Sequence, residues 1–211
     1  MPTRVLIVED NPVARSFLVR VVSESFSDEI EFTQASDLTS ARAALGLNVE
    51  AGASTADADR YRLILCDLEV EDGSGLELLS QLMHHAAIKI ATTLHSDDEH
   101  LFPALQCGAD GYLLKEDRFE VLVEELQKIV RGQPPVSPAI ARRLLAFFKS
   151  PGLEALLSSR EQDVLAAMSK GFTLKEVART LSIEWFAVND HVRGVYRKLA
   201  QASARKLDTL R

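Results

Sequence analysis

Short apolar runs alternate with longer amphipathic segments over the first 131 positions, the pattern of a parallel sheet covered by helices. Residues 4–8, 31–35, 61–66, 89–93 and 111–114 read as five strands. Residues 11–25, 37–45, 75–84, 97–107 and 118–131 carry apolar side chains at helical spacing. Asn11 followed by Pro12 marks a helix start, a cap with proline at the first helical position. Residues 46–60, rich in Ala, Asp and small polar side chains, have no periodicity and read as a long exposed loop.

Gly132, Pro134, Pro135 and Pro138 then interrupt regular structure. A short apolar helix over residues 139–148 follows, ended by Pro151 and Gly152. From Leu153 onward there is no strand signal. Ser158 with Glu161 and Thr173 with Glu176 are capping boxes, Gly171 closes the first of these helices, and Ser182 and Ile183 separate the next pair. This is the rhythm of a helix-turn-helix. The expected fold is α/β, a five-stranded parallel doubly wound domain over residues 1–131, then a linker with a short helix over 132–152, then an all-α domain over 153–211.

Composition adds two points to this picture. The 211 residues are 46% apolar and 26% charged, enough for two cores. The net charge of −7 conceals an asymmetry: residues 1–130 hold 10 Lys/Arg against 24 Asp/Glu, and residues 131–211 hold 14 against 7. An acidic first half suits divalent cations or a basic partner, and a basic second half suits a polyanion. No run approaches the roughly 20 apolar residues of a membrane helix, and the first ten residues lack the marks of a signal peptide, so a soluble cytoplasmic protein is expected, with no membrane partner. Cys66 and Cys107 sit apart in apolar contexts and read as reduced thiols, and the adjacent His84 and His85 as exposed residues at a helix end.

Side chains at the C-terminal ends of parallel strands face a common crevice. Glu9 and Asp10 follow the first strand, Asp67 ends the third, Thr93 the fourth, and Lys115 follows the fifth. Three carboxylates brought together repel one another, so a divalent cation with oxygen ligands such as Mg2+ is the expected occupant. Asp67 can then attack a phosphoryl group, with Lys115 and the Thr93 hydroxyl binding the transferred oxygens.

Residues 5–10 (VLIVED), 63–67 (LILCD), Gly75, Thr93 and 108–115 (GADGYLLK) resemble the receiver domains of two-component response regulators, over about residues 3–130. The resemblance implies a flavodoxin-like fold and phosphorylation of Asp67 by a sensor histidine kinase. It implies Mg2+ held by Asp10, Asp67 and the backbone carbonyl of Glu69, with Glu9 assisting through water. It also implies a switch in which Thr93 moves toward the phosphoryl group and Tyr112 turns inward. The sequence departs from the family at Glu69 and Glu71, where apolar residues or proline are common, and at Leu94, where a small residue is usual.

In the second half Val188, Val192, Val195 and Leu199 form the buried stripe of a helix, and Asn189, Arg193 and Arg197 recur on another face. A polar, basic face on the second helix of a helix-turn-helix suits the major groove. Arg193 can meet guanine or phosphate, Asn189 adenine, and Asp190 cytosine. Residues 156–211 resemble the LuxR/NarL-type DNA-binding domain, which implies double-stranded DNA as partner, phosphate contacts at Thr173, Lys175 and Lys198, base reading at Asn189, Asp190 and Arg193, and homodimerisation through a last helix over residues 203–210. Ala187 and Asn189 stand where the family commonly has Thr and Lys, Asp190 adds negative charge, and Trp185 and Phe186 are bulky for the start of this helix.

Two other readings compete. A phosphatase of the haloacid dehalogenase type shares the nucleophilic Asp, but it needs a second Asp two residues on, where this chain has Glu69; the expectation is no enzyme. A regulator acting through protein contacts, with weak or no DNA binding, draws support from Trp185, Asn189 and Asp190. The opposite charges of the two halves further suggest an attractive contact between them.

Overall fold

The computed structural model describes residues 2–47, 61–94 and 98–209. The first half runs β1 (Thr3–Val8), α1 (Pro12–Ser25), β2 (Ile30–Ala35), α2 (Leu38–Ala44), β3 (Leu63–Asp67), β4 (Glu69–Val70), β5 (Gly73–Ser74), α3 (Gly75–Gln81), β6 (Ile88–Thr93), α4 (Asp98–Gln106), β7 (Gly111–Leu114) and α5 (Phe119–Val130). The helical half follows as α6 (Pro138–Phe148), α7 (Ser159–Ser169), α8 (Leu174–Leu181) and α9 (Trp185–Thr209). Most of the 46–60 segment read as a loop lies outside the described residues.

Five parallel strands form one sheet in the order β2-β1-β3-β6-β7. Strand side chains alternate between faces, so Val5, Ile7, Leu63 and Leu65 pack under α1 and α5, whereas Leu6, Val8, Ile64 and Cys66 pack under α2 and α3. A sheet covered on both sides needs strands that are apolar at nearly every position, which is how these strands read. This is the flavodoxin-like doubly wound arrangement.

A feature too short for the sequence pattern is the β4–β5 hairpin, two residues per strand. Its turn carries Asp72, whose carboxylate accepts from the backbone N–H of Leu38 at 2.8 Å and of Thr39 at 3.2 Å. With Asp37 accepting from Ser40 N–H at 2.6 Å, two carboxylates cap α2.

The helical half has its own core. α6, in the segment read as linker, buries Ile140, Ala141, Leu144 and Phe148 with Val164 and Leu165 of α7, Val177 of α8, and the Val188, Val192, Val195 and Leu199 stripe of α9. Both capping boxes form, at Ser158/Glu161 and Thr173/Glu176. Ser182 adopts a left-handed conformation (φ 52°, ψ 47°) that ends α8 and makes the turn into α9.

α9 differs from expectation. Residues 203–209 are not a separate helix but the end of one 25-residue helix. The stretch Ala200, Gln201, Ala202, Ser203, Ala204 contains neither Gly nor Pro, and its alanines and Gln favour the helix, so nothing breaks the chain there.

The two halves pack together through α4. Its Leu101, Phe102 and Leu105 join the helical core, while Ala104 faces the core beneath the sheet. The Arg143 guanidinium lies 4.7 Å from the centroid of the Phe102 ring, and Phe147 meets that ring edge-on at 6.2 Å. Tyr112 of β7 touches both cores. Tyr196 of α9 is buried and donates its hydroxyl to the Pro135 carbonyl; burial, then the neighbouring Tyr112, pushes its pKa well up. Apolar and aromatic packing is therefore what α4 offers the helical half, although the sequence charges suggested an electrostatic contact.

Candidate functional site

The C-terminal ends of β1, β3, β6 and β7 meet at one edge of the sheet. Register pairs Asp67 with Thr92 and Thr93 with Leu114, and the Lys115 N–H donates to the Thr93 carbonyl at 2.8 Å, which fixes Lys115 just beyond β7. Lys115 Nζ donates to Glu9 Oε2 at 2.8 Å and to Asp67 Oδ2 at 2.6 Å. Glu9, Asp67 and Thr93 are buried, while Asp10 is half-buried. Arg15 steadies the acidic turn, donating to the Glu9 carbonyl at 2.6 Å. Gly75 brings α3 against β3 so closely that a Cβ there would overlap the Asp67 carbonyl oxygen.

Burial raises the pKa of Glu9, the bond to Lys115 opposes that rise, and the Asp67 charge adds to it. Burial likewise raises Asp67, again opposed by Lys115. Burial alone would lower Lys115, but its bonds to Asp67 and Glu9 outweigh this and raise it. One ammonium thus serves two buried carboxylates, with a third beside them. Oxygens of Glu9, Asp10 and Asp67 lie within 4.8 Å of one another, a hard-oxygen set short of positive charge and suited to a divalent cation such as Mg2+. Glu69 is exposed in β4, and its N–H donates to Asp67 Oδ1 at 3.3 Å. Beside the carboxylates lies a cavity of about 560 Å³ walled by Val13, Phe17 and Leu94. Cys66, beneath Asp67, is a buried free thiol pushed up to about 12 by burial, then by the Asp67 charge.

The residues singled out in the helical half are less uniformly placed. Thr173, Lys175, Asp190, Arg193 and Arg197 are exposed. Arg193 pairs with Asp190 one turn earlier, and Arg197 Nε donates to the Arg193 carbonyl at 3.4 Å. Asn189, by contrast, is 3% exposed, and its Oδ1 has no partner. Lys198 Nζ is held by both oxygens of Glu161, at 2.8 and 2.6 Å. Burial alone would raise Glu161, yet Lys198 and the Ser158 N–H together lower it. The same carboxylate lies over Gly194, which has no Cβ to exclude it. Sequence reading found Glu161 as a cap but not as the clamp between α7 and α9. Neither Asn189 nor Lys198 is presented to a groove in this arrangement, whereas Trp185 and Phe186 are half exposed, at 49% and 56%.

Comparison with known proteins agrees with this organisation. The family of response regulator receiver domains matches residues 5–127, and that of bacterial regulatory proteins of the luxR family matches residues 155–208. The nitrate/nitrite response regulator protein NarP of Escherichia coli (strain K12) is 30% identical, over 94% of this chain and 89% of its own. The transcriptional regulatory protein YdfI of Bacillus subtilis (strain 168) is 29% identical, over 98% and 94%. A structure of two RcsB dimers bound to two parallel DNAs superposes with a TM-score of 0.52 at 18% identity, over 95% of this chain and 93% of that one, a likeness of fold. Among the described residues no helix is long and apolar enough to cross a membrane. The chain belongs to the two-component response regulators of the NarL/LuxR type, a receiver domain followed by a LuxR-type helix-turn-helix domain.

Proposed function

We propose that Asp67 accepts a phosphoryl group from a sensor histidine kinase and that this event governs homodimerisation and sequence-specific DNA binding by the helical half. The observation that carries the reading is Lys115 bridging Glu9 and Asp67 in an acidic recess at the strand ends. An Asp67 carboxylate oxygen bonds to phosphorus as the donor's N–P bond breaks, and the electron pair leaves with the donor imidazole. Lys115 and the Thr93 hydroxyl take up the charge of the transferred oxygens. Asp10, Asp67 and the Glu69 carbonyl, with Glu9 assisting through water, would hold Mg2+, which would supply further neutralisation.

Thr93 and Tyr112 form the switch. Tyr112 touches both cores and lies beside Tyr196, so a change at Thr93 that moves Tyr112 disturbs the seat of α9. Once released, α9 offers Arg193, Arg197 and Asp190 to base edges and phosphates, with Asn189 beside them. Thr173 and Lys175 contact phosphates at the start of α8, and Lys198 joins them when it leaves Glu161. Exposure of Trp185 and Phe186 favours a second reading, a regulator that works through protein contacts.

The test is labelling by acetyl phosphate and selection of genomic DNA at fixed salt, with and without beryllofluoride and Mg2+. Label lost in Asp67→Ala and a palindromic site enriched more strongly with the mimic are expected. Equal labelling of Asp67→Ala removes the acceptor role, and no enrichment in either state transfers the function to protein contacts.

A further inference from the structure

Among the described residues no receiver carboxylate pairs with Arg193 or Arg197 of α9, and Arg193 has only Asp190 of its own helix. A cavity of about 460 Å³ opens between the end of α5, the segment after it, and α9, and Arg131, Arg193 and Arg197 all line it. Among the described residues Asp110 is the only carboxylate in its wall, and it is engaged: its Oδ2 accepts from the Lys89 N–H at 2.9 Å and lies 3.2 Å from Lys89 Nζ. Arg193 also lies against Gly132 (φ +80°), where a Cβ would come within 2.8 Å of Nη1. Three of the carbonyls ending α5, those of Gln127, Ile129 and Lys128, are occupied by the N–H groups of Arg131, Gly132 and Gln133, so they oppose an anion less than a fully open helix end does. The rest of the wall is apolar, chiefly Ile88, Ile129 and Pro134.

Arg131, Arg193 and Arg197 are exposed at the rim of one cavity, and Asp190 pairs with only one of them, so positive charge is left for an anion, and planar guanidinium forks match phosphate oxygens in pairs. The volume falls in the range of about 300–1,000 Å³ typical of small-molecule sites. We propose that this seam binds a small phosphate-bearing molecule with an apolar body, its phosphate held by Arg131, Arg193 and Arg197 and its body against Ile88, Ile129 and Pro134. Such a ligand ties the end of the receiver to α9 and so favours the packed arrangement of the two halves. It also occupies Arg193 and Arg197, so it competes with any polyanion for those side chains.

The experiment is a calorimetric titration of the full-length protein with phenyl phosphate and with inorganic phosphate, at constant ionic strength and with EDTA to keep the acidic pocket free of metal. It uses no DNA, so failure of the DNA-binding reading leaves the outcome intact. Saturable binding is expected, tighter for phenyl phosphate, weakened about tenfold in Arg131→Ala and unchanged in Lys149→Ala, an exposed basic residue outside the cavity. Urea unfolding of each variant verifies that it is folded. Three results overturn the proposal: no saturable binding, Arg131→Ala and Arg197→Ala binding like the parent, or Lys149→Ala weakening the binding as much as Arg131→Ala.

Discussion

The acidic recess and the α9 face both depend on charged side chains, yet they are built in opposite ways. In the recess, backbone fixes the chemistry: strand ends, a parallel register and the close approach at Gly75 hold Glu9, Asp67 and Lys115 within hydrogen-bond reach. On α9, packing decides which charges are available. Asn189 is covered and Lys198 is clamped by Glu161, whereas Arg193 and Arg197 remain exposed on the same helix. A site made by main chain is nearly independent of what docks nearby, and a site made by one helix face changes with every neighbour.

The sharpest way to break this contrast is Gly75→Ala. Because the new Cβ overlaps main chain, which cannot swing aside, a loss on the order of 4 kcal/mol in receiver stability is expected, with acetyl-phosphate labelling lost. Urea unfolding read separately for the two halves should leave the helical half close to its parent midpoint. The converse variant, Leu144→Ala, empties the core shared by α4, α6 and α9 and should cost about 3 kcal/mol in the helical half. Labelling of Asp67 should persist. If each variant damages both functions equally, the two sites are not built independently.

Metal should distinguish them next. Glu9 and Asp67 have raised pKa values, so the stability they contribute is complete below their unfolded values and declines as pH rises through the folded ones. At neutral pH the metal-free receiver therefore carries a penalty that a bound Mg2+ would relieve. A rise in Tm with Mg2+, corresponding to about 2 kcal/mol of added stability at about thirty times Kd, is expected and should vanish in Asp10→Asn. Thermal scans with Mg2+ and with EDTA check this.

The smallest effect belongs to Glu161→Gln, which keeps the capping bond but removes the charge facing Lys198. Since Glu161 is lowered from 4.5, its contribution is present above that pH and lost as pH falls through the lowered value. The variant should be about 1 kcal/mol less stable near neutrality and indistinguishable from the parent in acid. Denaturation across a pH series reads the difference directly.

These contrasts also explain what could be read in advance. The five strands and the convergence of Glu9, Asp10, Asp67 and Lys115 follow from periodicity and chain connection, because strand ends in such sheets share one edge, whereas the strand order came only with the flavodoxin-like fold that the family resemblance implied. The β4–β5 hairpin was invisible because two residues have no period. The stripe from Val188 to Leu199 was legible, but a helical repeat gives phase and not the identity of what covers each face, so the burial of Asn189 could not be foreseen. Glu161 showed its local role in a motif four residues long, whereas its bond to Lys198 spans 37 positions and has no local signature. α6 looked like a linker helix because prolines flank it, while its membership of the helical core depends on partners far along the chain.

The continuity of α9 has a mechanical consequence. A helix of 25 residues is a rod of about 37 Å, so its two ends cannot turn separately. Whatever torque frees the Trp185 end is delivered to the Ser203 end with the same angle and sense. One residue inserted between Leu199 and Ser203 would advance everything beyond it by about 100° while leaving the first half in place. The surface offered at the far end is therefore set by helical phase, counted from the seat of Tyr196, and not by a hinge.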